Sequence, residues 1–265
     1  MNYSLKLGRY FDIDVFVHWS FILVPAWVIY NGISTGLPLL SILVQVGLSF
    51  AIFFCVLLHE YGHALAARRF GVSTRDIVLL PIGGVARLES MPKEPFQELV
   101  IAVAGPAVNV VIALLLLPFV LLFPAEFTVS AEVSLGKVIQ TMFVINIVLV
   151  VFNAIPAFPM DGGRVLRASL AFFLPHTQAT ILAARCGQLM SLMFFALGVF
   201  ARTPGLFFIA IFVFWLAARE LRVAQWQQQQ EKGGPRVLPA NLGPGWLRDE
   251  QRFADQRASY WKQRG

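Results

Sequence analysis

Residues 39–69 read LLSILVQVGLSFAIFFCVLLHEYGHALAARR, an uncharged apolar run, Leu39–Leu58, that ends in ionisable residues. A hydrocarbon core about 30 Å thick takes roughly 20 helical residues to cross, so this run predicts a membrane-spanning helix. Directly after it, His59, Glu60 and His63 stand in HExxH spacing. Four residues make about one helical turn, so both imidazoles look to one side and can share a zinc ion at about 2.0–2.1 Å. Glu60 projects from the neighbouring stripe, where it reaches a metal-bound water rather than the metal and serves as general base. The competing reading is a polar helix end among headgroups. An ionisable cluster continuous with an apolar span is costly to keep, and that cost favours function.

The rest of the chain agrees with a membrane fold. Its 265 residues are 57% hydrophobic and 14% charged, with mean hydropathy +0.69, whereas a soluble domain carries about 45–50% apolar and about 25% charged residues. A water-soluble globule is excluded. Two cysteines exclude a disulfide scaffold. The net charge of +6 would suggest nucleic acid in a soluble protein, but here Lys and Arg orient loops, so no nucleic-acid partner is expected. Six apolar runs are expected as spans: Val15–Tyr30, Leu39–Leu58, Leu99–Phe123, Val138–Phe158, Cys186–Ala201 and Thr203–Ala218. The last two are short and borrow flanking turns, with Arg185 and Arg219 snorkelling to the surface. With the amino terminus in the cytosol, all Lys and Arg except Lys137 and Arg202 fall inside, as the positive-inside rule requires. The expectation is a multi-pass cell-membrane protein with both termini cytosolic, no removable signal peptide and no internal repeat.

Between the second and third runs, Gly71–Pro95 holds two strand-like pieces, Asp76–Leu80 and Val85–Leu88, around Gly83-Gly84. They predict a small hairpin or sheet at the cytosolic face. The fold class is thus an all-α membrane protein, a six-helix bundle with that β-element. Residues 1–222 form the membrane domain, and 223–265 form a polar cytosolic tail, a linker with a short helix.

Two histidines leave a zinc site short of a third protein ligand. The candidate lies in NAIPAFPMDGGR, 153–164, where Pro156, Pro159, Asp161, Gly162 and Gly163 interrupt the fourth run. Broken backbone at membrane depth is tolerated where it is buried in protein or lines a wet cavity. The second and fourth spans run in the same direction, so His59, His63 and Asp161 reach the same face. Asp161 paired with Arg164 or Arg167 as an ordinary helix-end carboxylate is the other reading.

With HEYGH at 59–63, NAIPAFPMDGGR at 153–164 and AGPAVN at 104–109, the chain resembles the site-2 protease family of intramembrane zinc metalloproteases, over about Val15 to Arg222. The resemblance implies Asp161 as third zinc ligand, Glu60 as catalytic base and Asn153 near the substrate. No PDZ-sized insertion separates the third and fourth spans, and the tail is too short for paired CBS domains. The function expected is a zinc endopeptidase with one zinc per chain. It cuts a peptide bond in or near a transmembrane helix of a single-span or otherwise membrane-embedded substrate, near the cytosolic face. The alternative is a multi-pass metal-ion transporter or metal-binding membrane protein, since broken helices and intramembrane carboxylates also mark ion sites.

Substrate-binding candidates follow from chemistry. An edge around Gly83, Gly84 and Val85 can take an extended substrate as an added strand, though the glycines also suit a plain turn. Asn109, inside the third span with Gly105 and Pro106, serves either helix packing or substrate. Cys55, one turn before His59, reads as a small buried hydrophobe rather than a ligand. His18 reads as an interfacial polar residue, and His176 as a loop residue.

Overall fold

A computed structural model describes residues 4–231 apart from 82, 90, 91, 93 and 124–133, together with Gly233. Most of the expected tail, 223–265, lies outside the described residues. The chain divides into two compact units, one comprising residues 1–156 and 160–172, the other 157–159 and 173–265.

The first unit opens with strands β1, Ser4–Tyr10, and β2, Ile13–His18, joined through Phe11 and Asp12 at positive φ. Ile13 and Val15 are buried while Asp14 and Phe16 between them are less so, the alternation of a strand with one face covered. Strands β3, Thr74–Leu80, and β4, Gly83–Leu88, complete a sheet of order β1-β2-β3-β4. The outer pairs are antiparallel and β2 runs parallel to β3, with Val15 opposite Ile77. Asp76 takes two charge-assisted bonds from Arg87 at 2.5 Å, a fork that pins the β3–β4 register.

After β2, His18 Nδ1 accepts from the Ser20 N–H and starts a 3-10 turn, Trp19–Ile22, that leads into α1, Leu23–Ser34. Helix α2 is Leu39–Arg69, α3 is Pro95–Leu122 and α4 is Leu135–Ala154. Along α3 the buried residues are Glu98, Ile101, Ala102, Gly105, Asn109 and Ala113, a three-and-four spacing that makes one inward stripe. Val110, Val111, Leu114 and Leu115 stay exposed, as lipid-facing positions do. Helix α4 ends where Pro156 forces Ile155 into extended backbone, φ −60° and ψ 125°. Helix α5, Asp161–Ala171, closes the first unit. The second unit contains α6, His176–Phe200, and α7, Pro204–Glu231.

Among the described residues four helices, α2, α3, α4 and α6, are long and apolar enough to cross a membrane. They carry four of the six expected runs. The first run, Val15–Tyr30, is corrected, because Val15–His18 belong to β2 and helical structure begins only at Trp19. Val15, Phe16 and Val17 stand opposite Ile77, Val78 and Leu79, so pairing of β-branched and aromatic residues outweighs the apolar run. The small hairpin or sheet expected between the second and third spans is present as β3 and β4, and β1 and β2 extend it to four strands. His176 opens α6 rather than lying in a loop, and α7 continues past Arg222 into the stretch expected as tail.

The sheet packs on the second half of α2. Tyr61 and Ala64 bury against Ile13, Val15 and Ile77, while Ala67 meets Val72 and Ile101. The helix turn that carries HEYGH is therefore clasped by strands on one side and by α3 on another.

Candidate metal centre and active site

Successive residues of a helix point about 100° apart, and α2 uses this to divide its turn. His59 and His63 face α3, while Glu60, one step round, faces β4. The approach of α3 depends on glycine. A Cβ on Gly62 would stand 2.6 Å from the Ala104 carbonyl oxygen, and one on Gly105 would overlap the His63 ring and stand 2.8 Å from His59 Nε2.

Asp161 arrives as the first residue of α5. The break after α4 folds back so closely that a Cβ on Gly162 would overlap the carbonyls of Ala154 and Ile155. Asp161 Oδ2 then lies 3.1 Å from both His59 Nε2 and His63 Nε2, which are themselves 3.1 Å apart. All three side chains are buried. Donors held tetrahedrally on zinc at about 2.0–2.1 Å stand about 3.3 Å from one another, close to this triangle.

Protonation supports the same use. His63 Nδ1 is 2.7 Å from the Ile101 carbonyl, which only accepts, so Nδ1 carries the proton and Nε2 presents a lone pair. His59 Nδ1 is 2.6 Å from Asn109 Oδ1. Two such nitrogens and a carboxylate oxygen converge on one point, an arrangement that a bound cation stabilises. The residues fit a divalent metal.

Glu60 accepts the Ala86 N–H through Oε2 at 3.0 Å, and a Cβ on Gly84 would stand 2.6 Å from Glu60 Cγ. Strand β4 thus touches the carboxylate that the sequence assigns as base. Gly83, Gly84 and Val85 all lie on this strand, and Val85 is exposed. Asn153 sits in the last turn of α4 with Nδ2 donating to the Leu149 carbonyl at 3.0 Å. Asn109 is fully buried between His59 and Asn146. Cys55 is buried with its Sγ 3.6 Å from Asn146 Nδ2, and it is outside the group of metal-competent residues. Arg167 pairs with Glu98 at 2.5 Å.

Asn146 and Glu98 escaped the sequence reading. Each carried a signal, an amide in the middle of the fourth apolar run and an acid just before the third.

The model of the peptidase family M50 matches residues 47–128 and 125–198 of this chain. The zinc metalloprotease MJ0392 of Methanocaldococcus jannaschii is 35% identical over 85% of the chain and 62% of its own length. Rip3 of Mycobacterium tuberculosis is 32% identical over 94% of the chain and 67% of its own. The chain therefore spans about two thirds of the length of these curated relatives. Among solved structures, the site-2 protease from Methanocaldococcus jannaschii is similar at TM-score 0.60 and 34% identity, covering 83% of this chain and 95% of that one.

Proposed function

Because the chain belongs to peptidase family M50, we propose that it is a zinc endopeptidase that cuts membrane-embedded protein substrates in or near a transmembrane helix. The observation that carries this reading is the meeting of His59, His63 and Asp161 within 3.1 Å, with Glu60 on the next stripe of the same helix turn. A transport role needs no glutamate there, and the relatives named above favour the protease.

His59, His63 and Asp161 would hold the metal. When bound, zinc supplies a Lewis acid that polarises the scissile carbonyl and acidifies water. Glu60 takes the proton of the attacking water and delivers it to the leaving amine. Asn153, at the end of α4, would hold the substrate backbone. Strand β4 stands at the edge of the sheet order, so Gly83, Gly84 and Val85 offer main-chain groups to a locally unwound substrate, which joins as an added strand.

The topology supports cleavage near the cytosolic face. Strands β2 and β3 are parallel neighbours in one sheet, so the chain between them leaves and returns to the same side. Helix α2 is long enough to cross, and α1 with the turn before it, apolar from Trp19 to Ser34, makes the matching crossing. With α7 as the last span the molecule has six crossings and both termini cytosolic, lying in lipid beside a single-span substrate.

The test is zinc content and cleavage of a co-expressed single-span substrate, wild type against Glu60→Gln. We expect about one zinc per chain in both and a cleavage rate at least ~100-fold lower in the variant, the usual scale for losing a positioned general base. Undiminished cleavage by Glu60→Gln, or purified wild type without zinc, would sink the proposal.

A further inference from the structure

The two histidines obtain their orientation differently. His63 Nδ1 bonds a main-chain carbonyl directly. His59 Nδ1 faces an amide, Asn109, and an amide offers oxygen on one side and NH2 on the other. If Asn109 were turned about, its NH2 would face Nδ1, the ring proton would move to Nε2, and the nitrogen needed by a metal would be blocked. Something must decide which way Asn109 points.

A second amide decides it. Asn146 Nδ2 donates to the Met142 carbonyl of its own helix at 2.8 Å. A carbonyl accepts and never donates, so this bond fixes which end of Asn146 is nitrogen. Its Oδ1 is then left to face Asn109, whose Nδ2 donates to it at 2.8 Å. Asn109 Oδ1 is thereby turned to His59 Nδ1 at 2.6 Å, which must carry the proton. Asn109 and Asn146 are both fully buried, away from bulk water. The chain of bonds crosses α4, α3 and α2 and has one permitted direction.

We infer that Asn146 and Asn109 are positioning residues: a one-way hydrogen-bond relay from the Met142 carbonyl holds His59 as the Nδ1–H tautomer, with Nε2 free for the metal. The substrate contact expected for Asn109 gives way to this role. The inference rests on the zinc site proposed above, and its test separates the two.

The experiment uses the full chain in detergent micelles with 15N-labelled histidine, of which there are four, together with zinc affinity by competition against a chromophoric chelator. In metal-free wild type His59 should resonate as the Nδ1–H tautomer. Asn146→Leu should give a mixture of tautomers and zinc binding about 10–100-fold weaker, the range for losing an outer partner of a metal ligand. Asn109→Asp presents two equivalent acceptor oxygens and needs no orienting, so it should keep the tautomer. In that background Asn146→Leu should cost no further affinity. A helix-packing role would instead weaken both backgrounds alike. The relay is overturned by an Nε2–H tautomer in wild type, by an unchanged tautomer in Asn146→Leu, or by an equal loss in the Asn109→Asp background. Should Asn146→Leu fail to fold, the wild-type tautomer decides. A wild type with the expected tautomer but no zinc would overturn the proposed activity and leave the relay standing.

Discussion

A single methyl group at residue 105 would stand where the metal-facing edges of both imidazoles lie. Gly105→Ala should therefore weaken zinc binding by roughly 10–100-fold, the equivalent of about 1–3 kcal/mol of overpacking, measured by chelator competition. Gly84→Ala acts on the other side of the turn. Its methyl would press on Glu60 Cγ, so cleavage should fall about tenfold or more while zinc content holds, since Glu60 is not a ligand. HExxH was legible because its meaning lies within one helical turn. The need for Gly105 was not, because nothing in AGPAVN says which side chains it will meet. Asn109 was visible as an amide in a span, yet its partner His59 is fifty positions away.

At the scale of elements, α5 must be held so that its first residue meets α2. Glu98 in the first turn of α3 is fully buried and bonded to Arg167 in the middle of α5 at 2.5 Å, which ties the two helices together. Taking away the guanidinium while Glu98 stays buried costs on the order of 3–5 kcal/mol, whereas replacing both by apolar residues of similar volume is often neutral. Arg167→Met should lower the thermal midpoint markedly, and the double variant Glu98→Met/Arg167→Met should recover much of it. A double variant no better than Arg167→Met would remove the pair from this role. Local hydropathy marks the helices carrying His59 and Asn109, and the prolines mark the break before Asp161, but neither marks helix α5, which Asp161 opens. Val15–His18 reads as the start of a span because it adjoins an apolar helix, and the partner that makes it a strand, β3, comes only after two helices.

At the scale of the whole molecule, the positive-inside rule leaves Lys137 and Arg202 as the two basic residues expected outside. A cysteine placed at either position should react in intact cells with an impermeant thiol reagent, and fluorescent fusions at both termini should report the cytosol; labelling of residue 202 only after lysis would overturn the proposed crossing of α6 and α7. One consequence of the parallel β2–β3 pairing belongs to the time of synthesis. Ribosomes add about 5–20 residues per second, so the β1–β2 hairpin waits several seconds, while α1 and α2 are made, before β3 emerges to join it. His59, Glu60 and His63 are made during that wait, but the strand that touches Glu60 comes later, and Asp161 later still. The order of synthesis thus completes the group of His59, His63 and Asp161 only after the sheet beside Glu60 has all four of its strands.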